Sequence, residues 1–167
     1  SICNNPPMTQ NCTALLDQLA KDIQADIDAD AVMVGIRTGG VWVAQALNKR
    51  LATPLPFGEL NISFYRDDFT RIGLHPNVAA SDISFDIEGK TVVLVDDVLY
   101  SGRTIKAALH ELFDFGRPAK VLLAVLIQRD GQELPIQPNY VGEQMQLNSA
   151  QYITIRGPEP ITYEIQE

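Results

Sequence analysis

Residues 91–104 read TVVLVDDVLYSGRT. The opening Thr-Val-Val-Leu-Val is the mark of a strand covered on both faces. It runs into two adjacent aspartates, Asp96 and Asp97, and after a short gap into Ser101-Gly102-Arg103-Thr104. A loop that leads from a strand into a helix offers an anion free N–H groups and the positive end of the helix dipole. Ser101 and Thr104 add hydroxyl donors, and Gly102 lets the backbone close in. Phosphate fits such a cradle, whereas the aspartates repel it and must face another part of the same ligand. A carboxylate accepts hydrogen bonds from a vicinal diol, and two adjacent ones suit both hydroxyls of a ribose. The stretch predicts a sugar phosphate held by opposite chemistries at its two ends.

The flanking sequence supplies the scaffold. Residues 13–27 place Leu16, Leu19, Ala20, Ile23 and Ile27 on one helical stripe, with Asp17, Lys21, Asp22 and Asp26 opposite. AVMVGI (31–36) reads as a buried strand, and Gly39-Gly40 opens a helix carrying Val43, Leu47 and Leu51. FGELNISFY (57–65) reads as a strand. The long polar stretch after it, spanned here as residues 66–86, is a candidate lid. Residues 103–115 form a helix ended by Gly116 and Pro118, and KVLLAVLIQ (120–128) is a further central strand. Residues 129–143 show no period, and QYITI and ITYEI read as short strands around the turn RGPEP. Alternating strands and helices predict an α/β fold with a mainly parallel sheet and one domain over 1–167, its first 12 residues flexible. Ligands of such sheets sit outside the carboxyl ends of the strands, which singles out Arg37-Thr38-Gly39-Gly40 beside the Asp96–Thr104 loop.

Composition narrows the classes. The chain has 167 residues, 46% apolar and 20% charged, which is ordinary for a globular domain. No apolar run approaches membrane-spanning length and SICNNPPMTQ has no leader character, so a cytoplasmic protein is expected. Cys3 and Cys12 fit no metal spacing and read as reduced thiols of a frayed terminus. Asn11 in NCT matches a glycosylation acceptor only by coincidence. With 21 acidic against 13 basic residues the net charge is −8, unlike a protein built to grip a polyanion.

Rival readings fit less of the pattern. Gly35 and Gly40 have P-loop spacing, but Val41-Trp42 stands where Lys-Ser/Thr is required. A phosphoacceptor domain leaves YSGRT without a task. One aspartate at a strand end often merely caps a turn, which does not explain a pair followed by Ser-Gly-Arg-Thr. His110 falls on an outer helix face and His75 in the lid stretch, and neither completes a nucleophilic triad.

VVLVDDVLYSGRT resembles the phosphoribosyl-pyrophosphate signature of the type I phosphoribosyltransferases. VGIRTGG, FGELNISFYRDD and LFDFGRPAKVLLAVLIQRDGQELPIQPNYVGE extend the resemblance, over residues 15–145, to the PyrR family of uracil phosphoribosyltransferases and pyrimidine-operon attenuation regulators. The resemblance implies the type I phosphoribosyltransferase fold, with a small hood at 129–145. It implies that Asp96 and Asp97 hold the ribose hydroxyls and are the catalytic pair. Val98, Leu99, Tyr100, Ser101, Gly102, Arg103 and Thr104 would bind phosphoribosyl pyrophosphate (PRPP). Arg37, Thr38, Gly39 and Gly40 would form a pyrophosphate loop, in which the family often uses a non-proline cis peptide. Tyr65, Arg66 and Asp67 would begin the lid, and Arg129 would stand nearest the base. The implied reaction is uracil plus PRPP giving UMP and pyrophosphate, with Mg²⁺ held mainly by PRPP. A homodimer or higher homo-oligomer is implied as well.

The chain departs from the family in three ways. Where RNA-binding members carry cations, it has Asp17, Gln18 and Asp26, and Gly131, Gln132, Gln137 and Glu143, so mRNA binding is expected to be weakened or lost. Gly39 stands where the family commonly has Arg, removing one leaving-group cation. Gln128 replaces the aspartate that commonly precedes Arg129. An enzyme making UMP, an RNA-binding attenuation regulator and a low-turnover uridine-nucleotide sensor follow in that order.

Overall fold

In the computed structural model, residues 8–62 and 80–167 are described. Five strands form the main sheet: β2 (Val32–Ile36), β3 (Phe57–Leu60), β4 (Thr91–Leu99), β5 (Lys120–Arg129) and β6 (Tyr140–Met145). Their order is β3-β2-β4-β5-β6, and every neighbouring pair is parallel. Among the described residues three helices connect and cover them: α1 (Thr13–Asp26), α2 (Gly39–Arg50) and α3 (Arg103–Phe113).

The two-residue period of the strands divides the core in two. Met33, Val93 and Val95 face the side covered by Leu16, Leu19 and Ile23 of α1 and Val43, Ala44 and Leu47 of α2. Val32, Val34, Val92 and Leu94 face the other side, against Ile105, Ala108 and Leu112 of α3. Burial on both faces is why the strand runs are almost wholly apolar. The acidic residues of β4, Asp96 and Asp97, come near its carboxyl end, beside the first residues of α2.

A second, antiparallel sheet ties the termini together. β1 (Gln10–Asn11) pairs with β8 (Thr162–Gln166), which pairs with β7 (Tyr152–Arg156), in the order β1-β8-β7. One expectation is corrected here. Residues 10–12 are not loose: Gln10 pairs with Tyr163, and the Cys12 side chain is fully buried. Tyr140–Met145, the last part of the span expected as hood, form the edge strand of the main sheet, with Gln128 in register with Gln144. The segment between them, read as aperiodic, hid this strand because its burial is only partial along most of its length. Of the expected lid, residues 66–79 lie outside the described residues. Asp82 forms an antiparallel bridge with Glu59, and Ile83 and Phe85 pack against the α3 side of the core. Among the described residues no helix is long and apolar enough to cross a membrane.

Candidate active site

The carboxyl ends of β2 and β4, adjacent in the sheet, open into a cleft of about 400 Å³. Arg37, Thr38 and Gly39 line one side and Asp96, Asp97 and Val98 the floor. Arg103 and Thr104 of α3 close the other side. Sequence reading placed these residues together, and the fold brings them to one cavity. Ile62 and Ala107 also line it and were not singled out, because isolated apolar residues carry no chemical signal.

The acidic pair is asymmetric. Asp96 is 5% exposed, and its Oδ1 accepts the Asp97 N–H at 2.8 Å. Burial, and then the neighbouring Asp97 charge, push its carboxyl well above the usual range. Asp97 is only partly buried, and its Oδ1 accepts the Val98 N–H at 2.8 Å. Gly39 abuts this carboxylate: a Cβ there would collide with Asp97 Oδ2.

Both helix N-termini at the cleft lack a side-chain cap. Thr38, the cap residue of α2, makes no side-chain cap bond, and the Arg37–Thr38 peptide is cis, as the resemblance implied. Gly102 caps α3 with φ +95°, a left-handed conformation that glycine adopts without a Cβ penalty. Here the Ser101 hydroxyl accepts the Arg103 N–H at 3.2 Å. Arg37 is not loose in the cleft. Its N–H donates to the Leu60 carbonyl at 2.9 Å, and its Nε donates to Glu59 at 2.7 Å. Glu59 was missed by sequence reading because it lies 22 residues from Arg37.

A second cleft, about 370 Å³, opens at the carboxyl ends of β5 and β6, lined by Gln128, Arg129, Gln132, Gln144 and Met145 among others. Arg129 belongs here, not to the Asp96–Asp97 cleft. Its Nη1 donates to the Gln151 carbonyl at 2.8 Å, and its Nε is buried without a partner among the described residues. Tyr65, Arg66 and Asp67 lie outside the described residues.

The Phosphoribosyl transferase domain family matches residues 1–155. The chain belongs to the phosphoribosyltransferase family. It is 54% identical to the Bifunctional protein PyrR of Pseudomonas savastanoi over 157 residues, 92% of each chain. It is 50% identical to the protein of that name from Pseudomonas entomophila over 161 residues, 94% of each chain. Its fold is that of a Bacillus anthracis hypoxanthine-guanine phosphoribosyltransferase, at a TM-score of 0.70 with 93% of each chain covered and 19% identity. The chain is a phosphoribosyltransferase, and Asp96, Asp97 and the first residues of α3 stand together at the carboxyl edge of its parallel sheet.

Proposed function

We propose that this phosphoribosyltransferase converts uracil and PRPP to UMP and pyrophosphate. The observation that carries the reading is the shared cleft, in which two carboxylates, two helix N-termini and Arg37 line one cavity. The PyrR proteins at about half identity support the choice of a pyrimidine. Asp97 is the more accessible acceptor for the ribose hydroxyls, with Asp96 behind it, and Ser101 to Thr104 take the 5′-phosphate. The loop from Arg37 to Gly40 takes the pyrophosphate, with Arg37 as its cation. The uracil enters from the β5–β6 cleft, which Arg129 lines.

No protein nucleophile is needed. Departure of pyrophosphate leaves positive charge at C1′, which the Asp96–Asp97 pair offsets, while the two clefts hold the base and sugar in reacting order. Among the described residues no group of three or more acidic, His or Cys side chains forms a metal cage. The two carboxylates in the cleft nevertheless suit a hard cation that keeps most of its ligands from substrate oxygens. Asp96 and Asp97 would face Mg²⁺ carried in on PRPP, and the ion would neutralise charge on the departing pyrophosphate.

An mRNA-binding role is not favoured by the residues that stand in place of the expected cations. Asp17 pairs with Arg50 at 2.8 Å, Asp26 accepts the Tyr140 hydroxyl at 2.7 Å, and Glu143 accepts the Tyr163 hydroxyl at 3.0 Å. These acids serve the fold and present no phosphate contact. The test is product formation from PRPP and Mg²⁺ with uracil, orotate, hypoxanthine and adenine in parallel. Uracil-selective UMP formation is expected, and selective turnover of a purine would overturn the choice of base.

A further inference from the structure

Arg129 is 5% exposed, and its guanidinium joins segments that are distant in sequence. On one side it holds the 148–151 loop, through Gln151 at 2.8 Å and the Asn148 carbonyl at 3.4 Å. On the other, its central carbon stands 4.2 Å from the centroid of the Tyr100 ring. Tyr100 immediately precedes Ser101 of the phosphate cradle. Its carbonyl accepts the Gln132 side-chain amide at 2.8 Å, and the same amide reaches the Arg129 carbonyl at 2.6 Å. The Ser101 carbonyl accepts the Glu133 N–H at 2.9 Å and the Leu134 N–H at 3.2 Å. The Tyr100 ring also fills the space a side chain on Gly131 would need. The cradle loop is therefore in direct contact with Arg129 and with residues 131–134, of which Gln132 lines the second cleft.

We propose that the Tyr100–Arg129 contact couples the two clefts, so that a sugar phosphate in the cradle tightens binding of the base. The inference rests on the reading given under Proposed function. Closure of residues 100–104 around a phosphate moves the Tyr100 ring. Arg129 rides on that ring while its other edge sets the Asn148 and Gln151 carbonyls. Coupling of this kind requires that the two ligands favour the same arrangement of one shared element, and the joint is that element. Arg129 is a positioning residue in this role. A cation over an aromatic face is worth a factor of about 2 to 30, which bounds the coupling it can carry.

The test uses ribose 5-phosphate, which fills the cradle but has no pyrophosphate to lose. Uracil is titrated into the full-length protein by calorimetry with and without saturating ribose 5-phosphate. In the wild type the sugar phosphate tightens uracil binding several-fold. In Tyr100→Ala and Arg129→Met the ratio of the two affinities falls to about 1, whereas Tyr100→Phe, which keeps the ring face, retains it. Loss of a direct Arg129–base contact alone would lower both uracil affinities and leave their ratio unchanged, and that result overturns the coupling. Tyr100 is half exposed, so Tyr100→Ala decides the matter even if Arg129→Met fails to fold. A coupling ratio preserved in folded Tyr100→Ala contradicts the inference. Wild-type protein that bound ribose 5-phosphate but not uracil would instead overturn the assigned base, and with it this proposal.

Discussion

Gly39 and Asp97 are in direct apposition: a Cβ at position 39 would collide with Asp97 Oδ2 and stand 2.7 Å from its Cγ. Gly39 is therefore more than a missing cation, because the Asp97 carboxylate occupies the space next to its α-carbon. Gly39→Ala must displace the carboxylate or the start of α2. The expected result is a rise in KM for PRPP of about 10- to 100-fold, the worth of one charge-assisted hydrogen bond. Steady-state kinetics with thermal melting in parallel checks it, and an unchanged KM would show that Asp97 is free to turn away without loss.

Asp96 gives a trade between stability and function. Burial, and then Asp97, hold its carboxyl well above the usual range in the folded protein. Its contribution to stability is fully present below the unfolded value of about 4. It is lost as pH rises through the raised folded value. Above that window the buried charge opposes folding. Asp96→Asn should melt higher than the wild type at neutral pH without ligand, by about 2–6 °C. The difference should shrink as pH falls toward about 4. Differential scanning fluorimetry across pH measures this, and the same variant should lose most of its turnover.

Glu59 holds Arg37 at 2.7 Å, with both side chains roughly a quarter to a third exposed. Solvent therefore screens the pair, and its direct worth is modest. Arg37→Ala should weaken pyrophosphate binding by about 10- to 100-fold. Glu59→Gln, which only loosens the guanidinium, should weaken it by no more than about fivefold. Product-inhibition constants for pyrophosphate distinguish the two. Equal losses would mean that Glu59 is essential for the cation's placement.

Cys12 is fully buried, and its thiol is pushed up to about 11, first by burial and second by the Glu143 charge. In a Cys3→Ser background its reaction with a disulfide reagent at pH 8 should be more than about 100-fold slower in native protein than in urea, since the thiolate is the reacting form. Fast native labelling would show that the β1–β8 pairing opens readily.

The parts of this molecule written in short-range pattern were legible in the sequence. The α1 stripe of Leu16, Leu19 and Ile23, the buried run before Asp96 and the glycine before α3 each announce themselves within one turn or one strand. What escaped depends on contacts across long separations. β1 needs Tyr163 to become a strand, and β6 needs the register of Gln128 with Gln144. Arg129 was singled out through the family resemblance alone, and its stacking on Tyr100 depends on how the cradle loop folds back over residues 130–134. The Gly39–Asp97 apposition comes from the close approach of α2 to β4, which no spacing in the chain reveals.

The most direct measurement of the central claim is pyrophosphate release from PRPP and Mg²⁺, with and without uracil, by wild type and Asp97→Asn. Uracil-dependent release with UMP as co-product, lowered by about 10- to 100-fold or more in Asp97→Asn, is the predicted result. Release that is independent of uracil, or turnover untouched by loss of the Asp97 charge, would contradict the assignment of this cleft as the site of phosphoribosyl transfer.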